Sequence, residues 1–268
     1  MAARQGRGAG APVKLSVLMP VYNEIGTIAR IIDAVTRAIP EVEKEIVIVD
    51  DNSSDGTGAF LDRNFGSAGT CSRLELRPDG SVELLPASDA KAGRIHFKVL
   101  HHARNRGKGG ALQTAMAAAT GDVMVIQDAD LEYDPQDWAT MYNLIAVRRV
   151  ADVVYGSRFF GRPHRSLYFH HYLANRLLSL TFNILYNQLL SDIEVCYKMF
   201  TRAVMQSLDI TCEDFGIEVQ ISAQIALARR WRIYEMSISY YGRTYAEGKK
   251  INWRDGIKAL WYLLRFRF

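Results

Sequence analysis

Cysteine is scarce in this chain: three in 268 residues, Cys71, Cys196 and Cys212. None stands at disulfide-framework or metal-ligand spacing, so free thiols in a reducing compartment are expected. Long apolar runs are missing as well, and none reaches the ~18 residues that a membrane-spanning helix needs. The Arg/Gly/Ala-rich start, residues 1–12, lacks the apolar centre of a secretory signal. Its Gly6, Gly8 and Gly10 precede the first strand and so form no dinucleotide fingerprint. Charge of one sign is not in excess either. A formal net charge of +4 suits an anionic substrate or a membrane surface but is too small to argue for nucleic acid. These absences lead to the expectation of an intracellular, cytoplasmic chain, at most peripheral to a membrane.

With 49% hydrophobic and 23% charged residues there is material for a sizeable core. Short apolar runs alternate with helical patterns. Leu15–Met19 is a strand stopped by Pro20, and Ile28, Ile31, Ile32, Val35 and Ile39 then share one helical face. Glu45–Val49 is a second strand. It runs into the turn-forming series Asp50 to Thr57, where Ser54 or Asp55 is placed to cap a helix towards Phe65. Residues 66–94 break the rhythm: Arg73–Leu76 and Ser81–Leu85 flank Pro78-Asp79-Gly80, which predicts a hairpin on a surface insertion. Ile95–Leu100 and Val123–Ile126 are further strands, with helices over Ala111–Thr120 and Gln136–Arg149. Such alternation argues for an α/β fold, a mostly parallel sheet with helices on both faces. Asp152–Tyr155, Val195–Phe200 and Arg232–Tyr240 read as late strands, and Tyr168–Leu190, Gly216–Arg229 and Trp253–Phe268 as late helices.

Three acidic clusters follow three apolar strands: Glu24, then Asp50 and Asp51, then Asp128, Asp130, Glu132 and Asp134. Ligands of open α/β sheets sit outside the carboxyl ends of the strands. Any single cluster is also good turn chemistry, but three at corresponding positions gather along one sheet edge. Asp128 and Asp130 are spaced to converge on one hard cation, Mg²⁺ or Mn²⁺, bridging to a phosphorylated substrate. The familiar nucleotide loops fail on inspection. Gly107-Lys108 is followed by Gly109 where a P-loop needs Ser or Thr, and the dinucleotide pattern breaks at Leu112. Arg104, Arg106 and Lys108 still supply positive charge ahead of a helix N-terminus.

Taken in order, Pro20-Val-Tyr-Asn-Glu24, Val49-Asp-Asp-Asn-Ser-Ser-Asp-Gly56, Asn105-Arg-Gly-Lys-Gly109, Asp128-Ala-Asp130 and Gly156-Ser-Arg158 resemble the family-2 inverting glycosyltransferases. Within them the likeness is to the polyprenyl-phosphate, dolichyl-phosphate mannose synthase-like branch, over roughly residues 15–256. The resemblance implies a GT-A fold, Rossmann-like, binding a nucleotide-diphosphate sugar such as GDP-mannose or a UDP-hexose. With the composition of the start and the apolar pattern of the end, the expected division is a flexible tail over 1–13, a catalytic domain over 14–252 and a C-terminal amphipathic helix over 253–268. Donor binding would fall to Pro20, Tyr22, Glu24, Asp51, Lys108, Asp128, Ala129 and Asp130, and the metal to Asp128, Asp130 and Glu132. The chain departs from that branch in carrying Glu132 where Gln is frequent and in the length of the 66–94 insertion. None of the membrane spans carried by some relatives lies within it.

The second half supplies cations: Arg158, His164, Arg165, Arg176, Lys198, Arg243, Lys249 and Lys250. The stretch Tyr240 to Lys250 interleaves them with glycines and aromatics, like the loop that closes over phosphates in those synthases. Arg158, Arg165, Arg243 and Lys249 are therefore the expected acceptor-phosphate residues. A phosphate acceptor is largely dianionic at neutral pH, with a second pKa near ~6, and needs no general base. A hydroxyl acceptor on a glycan would need one, and Glu213-Asp214 lies where many family-2 enzymes place it; a helix cap is the other reading of Asp214. Catalytic roles are thus expected for Asp128, Asp130 and Arg158, with Asp214 the base of the alternative reaction. Trp253, Ile257, Leu260, Trp261, Leu264 and Phe268 form an apolar stripe with Arg254, Lys258, Arg265 and Arg267 beside it. That suits a membrane surface bearing the polyprenyl phosphate, or packing against the chain's own domain. The adjacent pairs His101-His102 and His170-His171 have no ligand spacing.

Overall fold

The computed structural model describes residues 13–66, 70–71, 73–77, 81–85, 94–159, 161, 163–166, 168–244, 247 and 253–268, the last without the side chains of 253–255. In chain order the first half runs β1 (Leu15–Val21), α1 (Ile28–Arg37), β2 (Lys44–Asp50), α2 (Thr57–Phe65), β3 (Thr70–Cys71), β4 (Arg73–Leu76), β5 (Val82–Leu85), β6 (Ile95–His101), α3 (Gly107–Ala118) and β7 (Val123–Ile126). The second half runs α4 (Trp138–Tyr142), β8 (Val153–Ser157), α5 (Phe169–Tyr186), β9 (Lys198–Thr201), α6 (Arg202–Met205), α7 (Ile217–Leu227), β10 (Ile233–Ser237) and α8 (Trp253–Arg265).

Eight strands form one sheet in the order β10-β8-β9-β7-β1-β2-β6-β3. The apolar runs of β1, β2 and β7 are buried on both faces, as a sheet covered on both sides by helices requires. β1 pairs in parallel with β2 and β7, β2 with β6, and β8 with β10. β3 lies antiparallel on β6 at one edge, and a second antiparallel strand, β9, organises the second half. It lies antiparallel between β7 and β8, so β8 and β10 point the same way as β1, β2 and β7. Register fixes the consequence: Val21 lies opposite Asp50, Asp50 opposite His101, and Leu18 opposite Ile126. Glu24, Asp51, Asp128 and Arg158 therefore leave one edge of one sheet.

At the opposite edge Glu45 ties three strands together. Its carboxylate accepts from Ser16 Oγ at 2.5 Å, Thr120 Oγ1 at 2.6 Å and Gly121 N at 3.0 Å, with Lys14 Nζ at 3.2 Å. Burial pushes this carboxyl up, but those bonds outweigh it and hold the group down at about 2.

Several expectations need correction. Val13 belongs to the folded part, since its carbonyl accepts from Tyr142 Oη at 2.7 Å. The hairpin forms as β4 and β5, with Pro78-Asp79-Gly80 outside the described residues, but it is no mere surface insertion: Leu74 is buried in the core and β4 packs on α1. The predicted helix over 136–149 is split. Asp134 caps a 3₁₀ turn at Pro135, α4 follows, and a π turn over Asn143–Val147 closes it. In α8 the packing face is not the predicted stripe. Ala259 and Leu263 are buried with Tyr262 and Phe266 beside them, whereas Ile257, Leu260, Trp261, Leu264 and Phe268 face outward.

Candidate active site

The loops after β1 and β2 are built by each other. Asn23, in the left-handed region at φ 53, accepts from Ser54 N at 2.8 Å and donates its own amide to Ser53 Oγ at 2.9 Å. Ile25 N donates to Asp55 Oδ2 at 3.0 Å, and Glu24 N to Thr57 Oγ1 at 3.1 Å. Asp51 is buried and holds the third loop, accepting from Arg106 N at 2.8 Å, Gly107 N at 2.7 Å and His102 Nδ1 at 2.7 Å. His101 reaches Asp50 and Asp62, and the far nitrogen of His102 reaches Thr114. Both histidines thus serve to join loops.

Gly107 and Gly109 answer to a close approach of chain to chain. A Cβ on Gly107 would stand 2.5 Å from the Glu213 carbonyl oxygen, and one on Gly109 would run into the Cys212 carbonyl. The basic loop is thereby pressed against the 212–214 segment, and Arg106 closes the contact with Glu213 at 2.9 Å.

These loops surround a cavity of about 530 Å³. Pro20, Tyr22, Glu24 and Asp51 line it from β1 and β2, and Lys108 from α3. Asp128, Ala129, Asp130 and Glu132 line it from the end of β7, and Arg158, Asp214 and Arg243 from the second half. Tyr22 leaves 41% of its surface exposed.

The charges are closely matched. Lys108 Nζ lies 2.8 Å from Asp128 and 3.0 Å from Glu218. Burial alone would pull this ammonium down, but the two carboxylates raise it well above its ordinary value. Arg243 reaches Asp130 at 2.7 Å, Glu132 at 2.9 Å and Glu24 at 3.6 Å. Burial, then Asp128 and Glu132, push Asp130 up to about 7, against the pull of Arg243. A buried carboxylate crowded by acids is a group that a hard divalent cation would relieve. Glu132 is occupied differently, with Arg243 on one oxygen and the Tyr240 hydroxyl at 2.7 Å on the other. Among the described residues no three His, Cys, Asp or Glu groups converge in ligand geometry.

Arg158 grips the fully buried Asp192 through Nε at 2.6 Å and Nη2 at 2.7 Å, and lies over the Tyr240 ring at 5.4 Å. Asp214 accepts from Gly216 N at 2.9 Å and from Tyr262 Oη at 3.1 Å, with Lys258 Nζ at 3.9 Å. Two expected cations go elsewhere. Arg165 turns away from the cavity to Glu247 at 2.6 Å, and Lys198 is buried beneath it on Glu218 at 2.5 Å. Lys249 lies outside the described residues. Sequence reasoning missed Tyr133, Glu194, Cys196, Glu218, Lys258 and Tyr262, all of which line the cavity. Tyr133 adjoins the acidic stretch after β7, and the others lie near late strands and helices whose placement no local pattern reveals.

The fold is shared with glucosyl-3-phosphoglycerate synthase from Mycobacterium tuberculosis. Its UDP complex superposes with a TM-score of 0.66 at 18% identity, covering 99% of this chain and 86% of that one. Its complex with Mn²⁺, UDP-glucose and phosphoglyceric acid gives 0.66 at 17% identity, over the same shares. The chain thus has the GT-A fold. The glycosyl transferase family 2 model matches residues 16–69 and 77–209, and the chain belongs to that family. The gap falls on β3 and β4.

Among curated proteins the chain is 26% identical over 254 residues to the low-salt glycan biosynthesis hexosyltransferase Agl6 of Haloferax volcanii, covering 93% of this chain and 53% of that protein. To a dolichol-phosphate mannosyltransferase of Pyrococcus furiosus it is 26% identical over 55% of this chain and 34% of that one. The chain therefore spans about half or less of these two relatives. It is 25% identical to an undecaprenyl-phosphate mannosyltransferase of Micrococcus luteus, over 95% of this chain and 99% of that one.

Proposed function

We propose that the chain transfers one sugar, with inversion, from a nucleotide-diphosphate sugar to a polyprenyl phosphate at a membrane surface. The observation that carries this reading is the polarity of the cavity. Acids at the end of β7 face Arg158 and Arg243, with nucleoside-type residues beyond them on β1 and β2. Relatives named for transfer to undecaprenyl and dolichol phosphates support the acceptor class. Asp128 and Asp130 would hold Mg²⁺ or Mn²⁺, and the ion would stabilise the departing nucleotide diphosphate.

The chain's own residues then have separable roles. Tyr22 offers a flat face to the base, and Asp51 fixes the basic loop against which the nucleotide lies. Lys108 keeps a positive charge beside Asp128. Arg158 and Arg243 draw the acceptor phosphate to the anomeric carbon against the repulsion of two anions, and fixed charges of this kind act strongly where water is excluded. Asp214, held by Gly216 N and Tyr262, orders the start of α7, and a phosphate nucleophile gives it no proton to take. Purified protein with GDP-mannose or UDP-glucose, Mn²⁺ and polyprenyl phosphate should yield solvent-extractable lipid-linked sugar; absence of product with either donor contradicts the reading.

One observation favours a second reading, transfer to a hydroxyl. Asp214 lines the cavity and its side chain stays 42% exposed. A soluble glycan acceptor that takes sugar in place of the lipid would establish it.

The outward face of α8 supports the membrane surface. Its exposed Ile257, Leu260, Trp261 and Leu264 are flanked by Lys258 and Arg265, while Tyr262 on the inner face touches the cavity. No helix among the described residues is long and apolar enough to cross a membrane.

A further inference from the structure

Around the inner wall of the cavity each cation has a carboxylate. Arg158 has Asp192, Lys108 has Asp128 and Glu218, Lys198 has Glu218, and Arg243 has Asp130 and Glu132. One acid is left over. Glu194 lines the cavity beside Cys196, four residues before β9, and no hydrogen bond or ion pair involves its carboxyl among the described residues. A half-buried carboxyl that lines a cavity with no protein partner is left to accept hydrogen bonds from whatever fills that cavity. Burial pushes this carboxyl up to about 7 despite the nearby Arg158.

Topology identifies the partner. Across the sheet edge the order is β2, β1, β7, β9, β8. The nucleoside-type residues follow β1 and β2, the acids suited to a metal-bound diphosphate follow β7, and Arg158 follows β8. Because β9 is antiparallel, its beginning rather than its end lies at this edge. Glu194 therefore stands between the diphosphate acids and the acceptor arginine, where the transferred sugar must lie. A phosphate would be repelled there by a carboxylate, whereas sugar hydroxyls are donors that a carboxylate accepts in pairs.

We propose that Glu194 reads the hydroxyl groups of the donor sugar and so sets which sugar is transferred; this rests on the glycosyl-transfer reading. The test compares kcat/KM for the better of UDP-glucose and GDP-mannose with its 2-, 3-, 4- and 6-deoxy forms. The unsubstituted enzyme is expected to penalise one deoxy form about 10–100-fold, the range for losing a hydrogen bond to a charged group. Glu194→Ala should lower the parent donor by a similar factor and abolish that discrimination. Affinity for UDP or GDP alone, read by calorimetry, should stay within about twofold. Glu194→Gln, which keeps one acceptor oxygen, should restore part of the difference and carries the comparison if the alanine variant does not fold. Discrimination that survives in both variants overturns the role of Glu194 alone, as does a loss equal for every donor and for the free diphosphate. An unsubstituted protein that binds neither UDP nor GDP overturns the glycosyl-transfer reading beneath it.

Discussion

Gly109 is held to glycine by a neighbour rather than by a phosphate. The Cys212 carbonyl occupies the space a side chain would need. Gly109→Ala is expected to cost about 1–3 kcal/mol, as overpacking does, seen as a lower urea midpoint with an unchanged slope. Glu45 is a residue whose worth depends on pH. Its folded pKa, about 2 against an ordinary 4.5, lies below the unfolded value, so its contribution is complete above about pH 4.5 and is lost as pH falls towards 2. The difference corresponds to about 3 kcal/mol at neutral pH. Denaturation of Glu45→Gln should show that loss at pH 7, with the gap to the unsubstituted chain closing between pH 4.5 and 2. The place of Asp128 and Asp130 in the cavity was legible from sequence, since acids directly after a buried parallel strand fall at the sheet's ligand-binding edge. Glu194 was not, because a lone acid before a short strand has no pattern to distinguish it.

At the scale of elements, α8 is the instructive case. Helical periodicity marked a stripe through Ile257, Trp261 and Leu264, yet the helix packs through Ala259 and Leu263 on α5 and α7. Periodicity locates an apolar face but does not say whether protein or lipid covers it. Two neighbouring leucines separate these fates. Leu263→Ala should cost about 2–5 kcal/mol by opening a cavity, whereas Leu264→Ala should stay within about 0.5 kcal/mol, as surface changes do. Thermal melts of the two variants check this. The acidic clusters had the opposite fortune: parallel strands put their ends on one edge, so local turns assembled into a site that simple alternation could foresee. The antiparallel insertion of β9 was beyond such reasoning, and with it went the true positions of Lys198 and Glu218.

For the whole molecule, one cavity joins the ends of β1 and β2, the acids after β7 and the arginines of the second half, and the helix that lines its rim carries an exposed apolar face. If Asp128 and Asp130 hold a divalent ion as proposed, removing it with EDTA is expected to lower sugar transfer at least ~100-fold, with Mn²⁺ or Mg²⁺ restoring it, since such an ion would carry much of the leaving-group stabilisation. Trp261→Ser should weaken sedimentation with anionic vesicles while leaving the melting temperature in place. The central claim, that the acceptor is a phosphate serving as its own nucleophile, is tested most directly by kcat for Asp214→Asn. Asparagine keeps an oxygen for Gly216 N but cannot take a proton. The account predicts a rate within about fivefold of the unsubstituted enzyme; a fall of about 10²–10⁴-fold, the usual contribution of a general base, would contradict it.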